Sequence, residues 1–220
     1  DVVDEPTLLS NVVAFYHRTL LDSPEALAYL QSRGVTVQIV ESFGIGYANR
    51  SLGLRLPQTN RRSGSELRAR LQQAGILRAS GHEHFNGCIT IPVVNAGGQV
   101  TQIYGRKIGE RLRPGTPLHL YLQEDRRGVF NPKGIATGTW IILTEGIFDA
   151  LTFLACGHPN VTCTFGTELT EDVRVVIAES GVERVLIGFD RDAEGDVGAQ
   201  SIARELAERG LEVLRIMFPR

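Results

Sequence analysis

The chain has 220 residues, 42% of them hydrophobic, with 23 basic against 25 acidic side chains and a net charge of −2. That length buries a sizeable core as one large or two small domains, and the charge balance gives no positive signal for nucleic acid. Three cysteines (Cys88, Cys156 and Cys163) without CxxC spacing exclude a disulfide frame and point to reduced thiols in the cytoplasm.

Taken in chain order, the amino-terminal part reads as helices. "EPTLLSNVVAFYHRTLL" repeats apolar residues at helical spacing, and "SPEALAYLQSRG" places Ser23 as a cap, Pro24 at the first helical position and Gly34 as a stop. "TVQIVESFGIGYA" gives a short helix before a glycine turn, residues 50–63 read as a loop, and "GSELRARLQQAG" is again helical. The period then changes to two: "CITIPVV" and "QVTQIYGRKI" flank "NAGG", a hairpin signal. Residues 109–138 read as a long irregular segment. From Trp140 onward, strands ("WIILTEG", "NVTCTFG", "RVLIGFD", "LEVLRIMF") alternate with helices, which implies a mostly parallel, doubly wound sheet. The expected fold is therefore a mixed α+β domain over residues 1–136 and a Rossmann-like α/β domain over residues 137–220. No run of 18 apolar residues is present, so no membrane association is expected. The start, "DVVDEP", is neither a signal peptide nor an initiator methionine, and reads as that of an excised fragment.

Acids sit where this architecture binds ligands, outside the carboxyl ends of the strands. "ILTEG" brings Glu145 and Gly146 to one strand end, with Asp149 a helical turn later; "GFDRD" brings Asp190 and Asp192 to another. Should those strands be neighbours, the acids share a crevice. Clustered carboxylates raise one another's pKa unless a cation intervenes, and Mg²⁺ takes one or two carboxylates with phosphate oxygens and water. Asp190 and Asp192 suit such an ion, and Glu145 reads either as a third ligand or as the base that activates a hydroxyl. Glu194 and Asp196 read as first-turn helix acids. His82, His84 and Cys88 in "GHEHFNGC" match no common zinc spacing.

"EGIFDAL", followed some 45 residues later by "FDRDAEGDVGA", resembles the EGxxDxL and DxDxxG motifs of the Toprim domain. Upstream, "ALAYLQSRGVTVQIVESFGIGYA", "LQQAGIL", "ITIPVVNAGGQV", "YGRKIG" and "LYLQE" resemble, in the same order, the RNA-polymerase core of bacterial DnaG-type primases. The resemblance implies a Toprim domain preceded by a mixed α+β core subdomain. It also implies a metal-dependent nucleotidyltransferase that makes RNA primers from ribonucleoside triphosphates on single-stranded DNA. Mg²⁺ or Mn²⁺ is the implied cofactor, and a replicative helicase the partner met through domains outside this chain. Glu145 corresponds to the family's catalytic carboxylate and Asp149 to the acid one turn later. Asp190 and Asp192 correspond to the metal-binding pair, which also ranks as catalytic. Gly146 and Gly195 correspond to the glycines that permit close approach.

The basic cluster of the family is thinner here. Its arginines before the first hairpin strand are replaced by Asn86 and Cys88, its next lysine falls in "NAGG", and the lysine of "KYLN" is Leu120, beside His119. Arg106 matches; Lys107, Arg111, Arg113, Arg126, Arg127 and Lys133 add charge nearby, read either as a shifted nucleic-acid or nucleotide surface or as an ordinary solvated loop. This thinning points to a plasmid, phage or mobile-element relative. Two other readings use the same acids differently: a phosphodiester-cleaving Toprim enzyme of nuclease or topoisomerase type, and a non-catalytic nucleic-acid-binding descendant.

Overall fold

The computed structural model describes residues 4–58, 60–109, 112–122 and 127–218. They form two compact units, Asp1–Val93 with Gln99–Asp125, and Val94–Gly98 with Arg126–Arg220.

In the first unit, helix α1 (Glu5–Leu21) starts where Asp4 accepts the Thr7 N–H at 2.9 Å. It buries Leu8, Leu9, Val12, Tyr16 and Leu20, one stripe at helical spacing. Helices α2 (Pro24–Ser32) and α3 (Val37–Ser42) follow, and the chain then enters strand β1 (Gly46–Ala48). Gly46 allows β1 to lie directly on α1: a Cβ there would stand 2.6 Å from the Tyr16 backbone. Helices α4 (Leu52–Arg55) and α5 (Arg62–Gln73) precede the strands β2 (Cys88–Val94), β3 (Val100–Lys107) and β4 (His119–Tyr121). The sheet order is β1-β2-β3-β4, with β1/β2 and β3/β4 antiparallel.

Two segments read from sequence as irregular carry structure. The polar stretch at 50–63 contains α4, because the buried carboxylate of Glu83, 31 positions away, accepts the Leu52 N–H at 2.9 Å and serves as a distant cap. Within residues 109–138, β4 forms by pairing with β3 (Tyr104↔Tyr121, Arg106↔His119), and α6 (Pro132–Ile135) opens on Asn131. The Asn131 amide donates to the carbonyls of Pro159 and Val161, and its left-handed backbone (φ +53°) makes the bend.

The second unit contains β5 (Trp140–Thr144), α7 (Ile147–Ala155), β6 (Val161–Cys163), α8 (Glu171–Glu179), β7 (Arg184–Gly188), α9 (Ala193–Glu208) and β8 (Glu212–Arg215). All strand pairs are parallel, in the order β6-β5-β7-β8. Ile141 and Leu143 of β5 and Val185 and Ile187 of β7 pack with Val173 and Ile177 of α8 and Ile202 and Leu206 of α9. The opposite face meets α7: a Cβ on Gly188 would touch the Phe153 ring at 3.4 Å. Helices therefore cover both faces, as alternation predicts. The Arg174–Glu205 ion pair between α8 and α9 (2.6 Å) is partly exposed and contributes at most ~1 kcal/mol. Each buried aliphatic side chain contributes ~1.5–3 kcal/mol, so the core sets how these helices pack. The three cysteines are free, and no helix among the described residues is long and apolar enough to cross a membrane.

Candidate functional site

Alternation alone leaves the strand order open; the structure puts β5 beside β7, with Thr144 opposite Gly188. The chain winds outward from β5 in both directions, to β6 on one side and to β7 and β8 on the other. That reversal opens a crevice at the carboxyl ends of β5 and β7. Glu145 follows β5 directly and Asp190 lies two residues beyond β7.

Several backbone contacts hold Glu145 in place. Its carbonyl accepts the Gly166 N–H at 3.0 Å, and Thr144 Oγ1 donates to the Gly146 carbonyl at 2.9 Å. The Gly166 contact follows a strained turn in which Phe165 is left-handed (φ +59°). Glu145 itself is half-buried. Burial, and then the charges of Asp190, Asp192, Glu194 and Asp149, push its carboxyl above the ordinary range. These acids thus share one electrostatic neighbourhood.

Two of them have structural tasks as well. Asp149 Oδ2 accepts the Gly146 N–H at 3.2 Å at the start of α7, and a Cβ on Gly146 would meet that oxygen at 2.7 Å. Asp192 caps α9, its Oδ1 accepting the Gly195 N–H at 2.7 Å. Gly195 also packs its bare Cα on the Asp190 carbonyl, which an added Cβ would approach to 2.4 Å. The run of alternating acids is therefore no strand face: β7 ends at Gly188 and α9 begins at Ala193.

Among the described residues, no group of three or more His, Cys, Asp or Glu side chains is arranged to hold a metal ion by itself. What the strand ends offer is an open set of carboxylate oxygens with mutual repulsion to relieve. That donor chemistry fits Mg²⁺, which completes its shell with phosphate and water, and does not fit a structural zinc.

The basic candidates are differently disposed. Arg106 and Lys107 are adjacent on β3 and project to opposite faces. Arg106 Nη1 lies 2.6 Å from His119 Nε2, and His119 Nδ1 lies 2.8 Å from the Tyr104 hydroxyl. Because a guanidinium only donates, Nε2 accepts and the ring proton sits on Nδ1. Burial and the Arg106 charge lower the pKa of His119, which favours this neutral form. Lys107 Nζ donates to the Asn86 carbonyl. Arg113 and Arg127 are exposed, and Lys133 is exposed on α6 in the second unit. Arg111 and Arg126 lie outside the described residues. His84 Nε2 contacts the Tyr121 carbonyl at 2.9 Å, His82 Nδ1 contacts Ser80 Oγ at 3.0 Å, and burial pushes the Cys88 thiol up to about 11.

Local sequence reading missed Arg215, on β8. Its Nη2 donates to the carbonyls of Phe189 (3.1 Å) and Asp190 (3.0 Å) and to Asp196 Oδ1 (3.1 Å). The only signal was one cation inside the apolar run "LEVLRIMF". Arg191, between the two candidate ligands, turns away and donates to the Phe218 carbonyl at 2.6 Å.

A parallel sheet with this strand order, tipped by an EG turn and a DxD turn on adjacent strands, defines a Toprim-type domain. Residues 142–220 match the family described as Toprim-like, and residues 15–118 match the DNA primase catalytic core, N-terminal domain. The DNA primase of Aquifex aeolicus is 28% identical over 221 residues, covering 96% of this chain and 43% of that protein. The chain thus spans less than half the length of this relative. The crystal structure of the zinc-binding and RNA polymerase domains of the Aquifex aeolicus primase superposes with a TM-score of 0.81 at 26% identity, covering 98% of this chain and 55% of that one. A DnaG primase catalytic domain bound to single-stranded DNA shares the fold with a TM-score of 0.77 at 22% identity, covering 97% and 73% of the two chains. Along nearly its whole length the chain is thus similar to the catalytic core of DnaG-type DNA primases, with the N-terminal domain matched first and a Toprim-like segment after it.

Proposed function

We propose that the chain is the catalytic core of a metal-dependent nucleotidyltransferase that synthesises RNA primers on a single-stranded DNA template. The observation that carries this reading is the juxtaposition of Glu145 with the Asp190/Asp192 turn at the β5–β7 crevice, in a chain similar to the primase catalytic core. The reaction joins the 3′-hydroxyl oxygen of one ribonucleotide to the α-phosphorus of an incoming triphosphate. The bond to pyrophosphate breaks, pyrophosphate leaves with the electron pair, and the hydroxyl proton passes to a base. Glu145 is the base: half-buried among like charges, it holds a proton more readily than a solvated glutamate. Asp190 and Asp192, with Glu145 and Asp149 at hand, would hold Mg²⁺ or Mn²⁺. When bound, the cation offsets charge on the triphosphate and its leaving group. Gly146 and Gly195 keep side chains out of the two turns that carry the acids. Arg106, Lys107, Arg113 and Lys133 are assigned to phosphates of template and nucleotide, with Arg106 aimed by His119.

The test is incorporation of labelled ribonucleotides on single-stranded DNA by the full-length protein with Mg²⁺ or Mn²⁺. Primer synthesis that is lost on Glu145→Gln supports the reading. Cleavage of the DNA without synthesis would favour a phosphodiesterase, and DNA binding without either activity would favour a non-catalytic descendant.

A further inference from the structure

Arg215 ends β8 opposite Ile187 of β7, and from there its guanidinium reaches the turn that carries Asp190 and Asp192. In a regular strand, successive carbonyls point to opposite sides. Here the carbonyls of Phe189 and Asp190 converge on a single nitrogen, Nη2, so the chain leaves strand geometry at the start of the acid turn, where Arg215 holds the break. The guanidinium carbon also lies 5.9 Å from the centroid of the fully buried Phe189 ring, and Nη1 is buried without a hydrogen-bond partner. An arginine kept only for its exposed partner Asp196 would gain at most ~1 kcal/mol and would have no need to bury Nη1. Gly195 lies against the same Asp190 carbonyl, which a Cβ there would approach to 2.4 Å. The turn is therefore held at the Asp190 carbonyl by both Arg215 and Gly195, and Asp196, at the start of α9, is tied to the same guanidinium.

We propose that Arg215 is a positioning residue for the divalent cation. It fixes residues 189–192 so that Asp190 and Asp192 present their carboxylates beside Glu145, and its charge offsets part of their repulsion. This inference rests on the reading of those acids as a metal site. Neutral methionine keeps the bulk of Arg215 and removes all three hydrogen bonds; lysine keeps the charge and reaches fewer acceptors.

The experiment titrates Mn²⁺ into the full chain by electron paramagnetic resonance for wild type, Arg215→Met, Arg215→Lys and Asp190→Asn. Hydrogen exchange at residues 189–196 is measured on the same samples without metal. Arg215→Met is expected to weaken Mn²⁺ binding about 10–100-fold and to speed exchange of the Gly195 and Asp196 amides, with Arg215→Lys falling between it and wild type. Wild-type Mn²⁺ affinity in Arg215→Met would overturn the inference and leave the metal reading standing, provided that Asp190→Asn loses the ion. Should Arg215→Met fail to fold, Arg215→Lys decides: faster exchange with undiminished Mn²⁺ affinity would assign Arg215 to structure alone. A wild-type chain that binds no Mn²⁺, or an Asp190→Asn chain that binds it as well as wild type, would overturn the metal reading and this inference with it.

Discussion

The acid end of the parallel sheet and the basic end of β3 in the other sheet solve opposite problems. At the first, like charges are held together: burial, and then the charges of Asp190 and Asp192, push the Glu145 carboxyl above its ordinary range, and helix caps, glycines and Arg215 keep the acids in place. At the second, cations are turned toward neighbours, Arg106 to His119 and Lys107 to the Asn86 carbonyl. The first arrangement stores repulsion that a bound cation would relieve. The second has already met part of its hydrogen-bonding need within the protein. Under the proposed function, chemistry would be concentrated at the acids, while affinity for nucleic acid would rest on few side chains of β3.

The largest effect that would break this contrast is expected from Glu145→Gln. It keeps the shape and removes the base, so primer synthesis by the full-length protein should fall ~10²–10⁴-fold while the melting temperature holds or rises, since a mutually repelling charge is lost. Near-normal synthesis would remove Glu145 from the chemistry. Next comes Gly195→Ala. Helix propensity alone favours alanine by ~1 kcal/mol, but its Cβ would stand 2.4 Å from the Asp190 carbonyl, and such overpacking costs ~1–3 kcal/mol. Thermal melting should therefore show net destabilisation; a stabilised variant would mean that the acid turn yields easily.

At the basic end of β3 the expected effects are smaller. Arg106→Ala should lower the slope of log affinity for single-stranded DNA against log salt by about 0.7, the share of one phosphate contact. Fluorescence anisotropy at several salt concentrations measures it, and an unchanged slope would remove Arg106 from the interface. The smallest effect concerns the fold around α4. Burial pushes the Glu83 carboxyl above its ordinary value, against the pull of the Leu52 N–H. Its Oε2 and the Tyr16 hydroxyl are both buried, close enough to interact yet outside ordinary hydrogen-bond geometry. Because the folded state holds this proton more tightly than the unfolded chain, the stabilisation is complete below the ordinary carboxylate range. It is lost as pH rises through the raised value. Glu83→Gln should flatten that part of the stability–pH profile in chemical denaturation, and an unchanged profile would show that Glu83 does not titrate there.

Much of this was legible in sequence because local periodicity reports it. The βα alternation after Trp140, the start of α2 at Pro24 and the placement of Glu145, Asp149, Asp190 and Asp192 at element ends all follow from neighbouring residues, although the Ser23 hydroxyl, read as the cap of α2, donates instead to the Thr19 carbonyl. What escaped depends on partners far along the chain. Strand order is one case, since alternation dictates a parallel sheet without saying that β5 adjoins β7. The α4 turn is another, held by a glutamate 31 residues away. Strand β4 draws its order from pairing with β3 rather than from its three residues. Arg215 is the clearest case: nothing within ten residues of it announces that it holds the turn at Asp190.

The most direct test is anomalous scattering from crystals of the chain soaked in Mn²⁺. A peak in contact with carboxylate oxygens of Glu145 and of Asp190 or Asp192 is the predicted result. Mn²⁺ bound elsewhere, with all three carboxylates surrounded only by water, would contradict it.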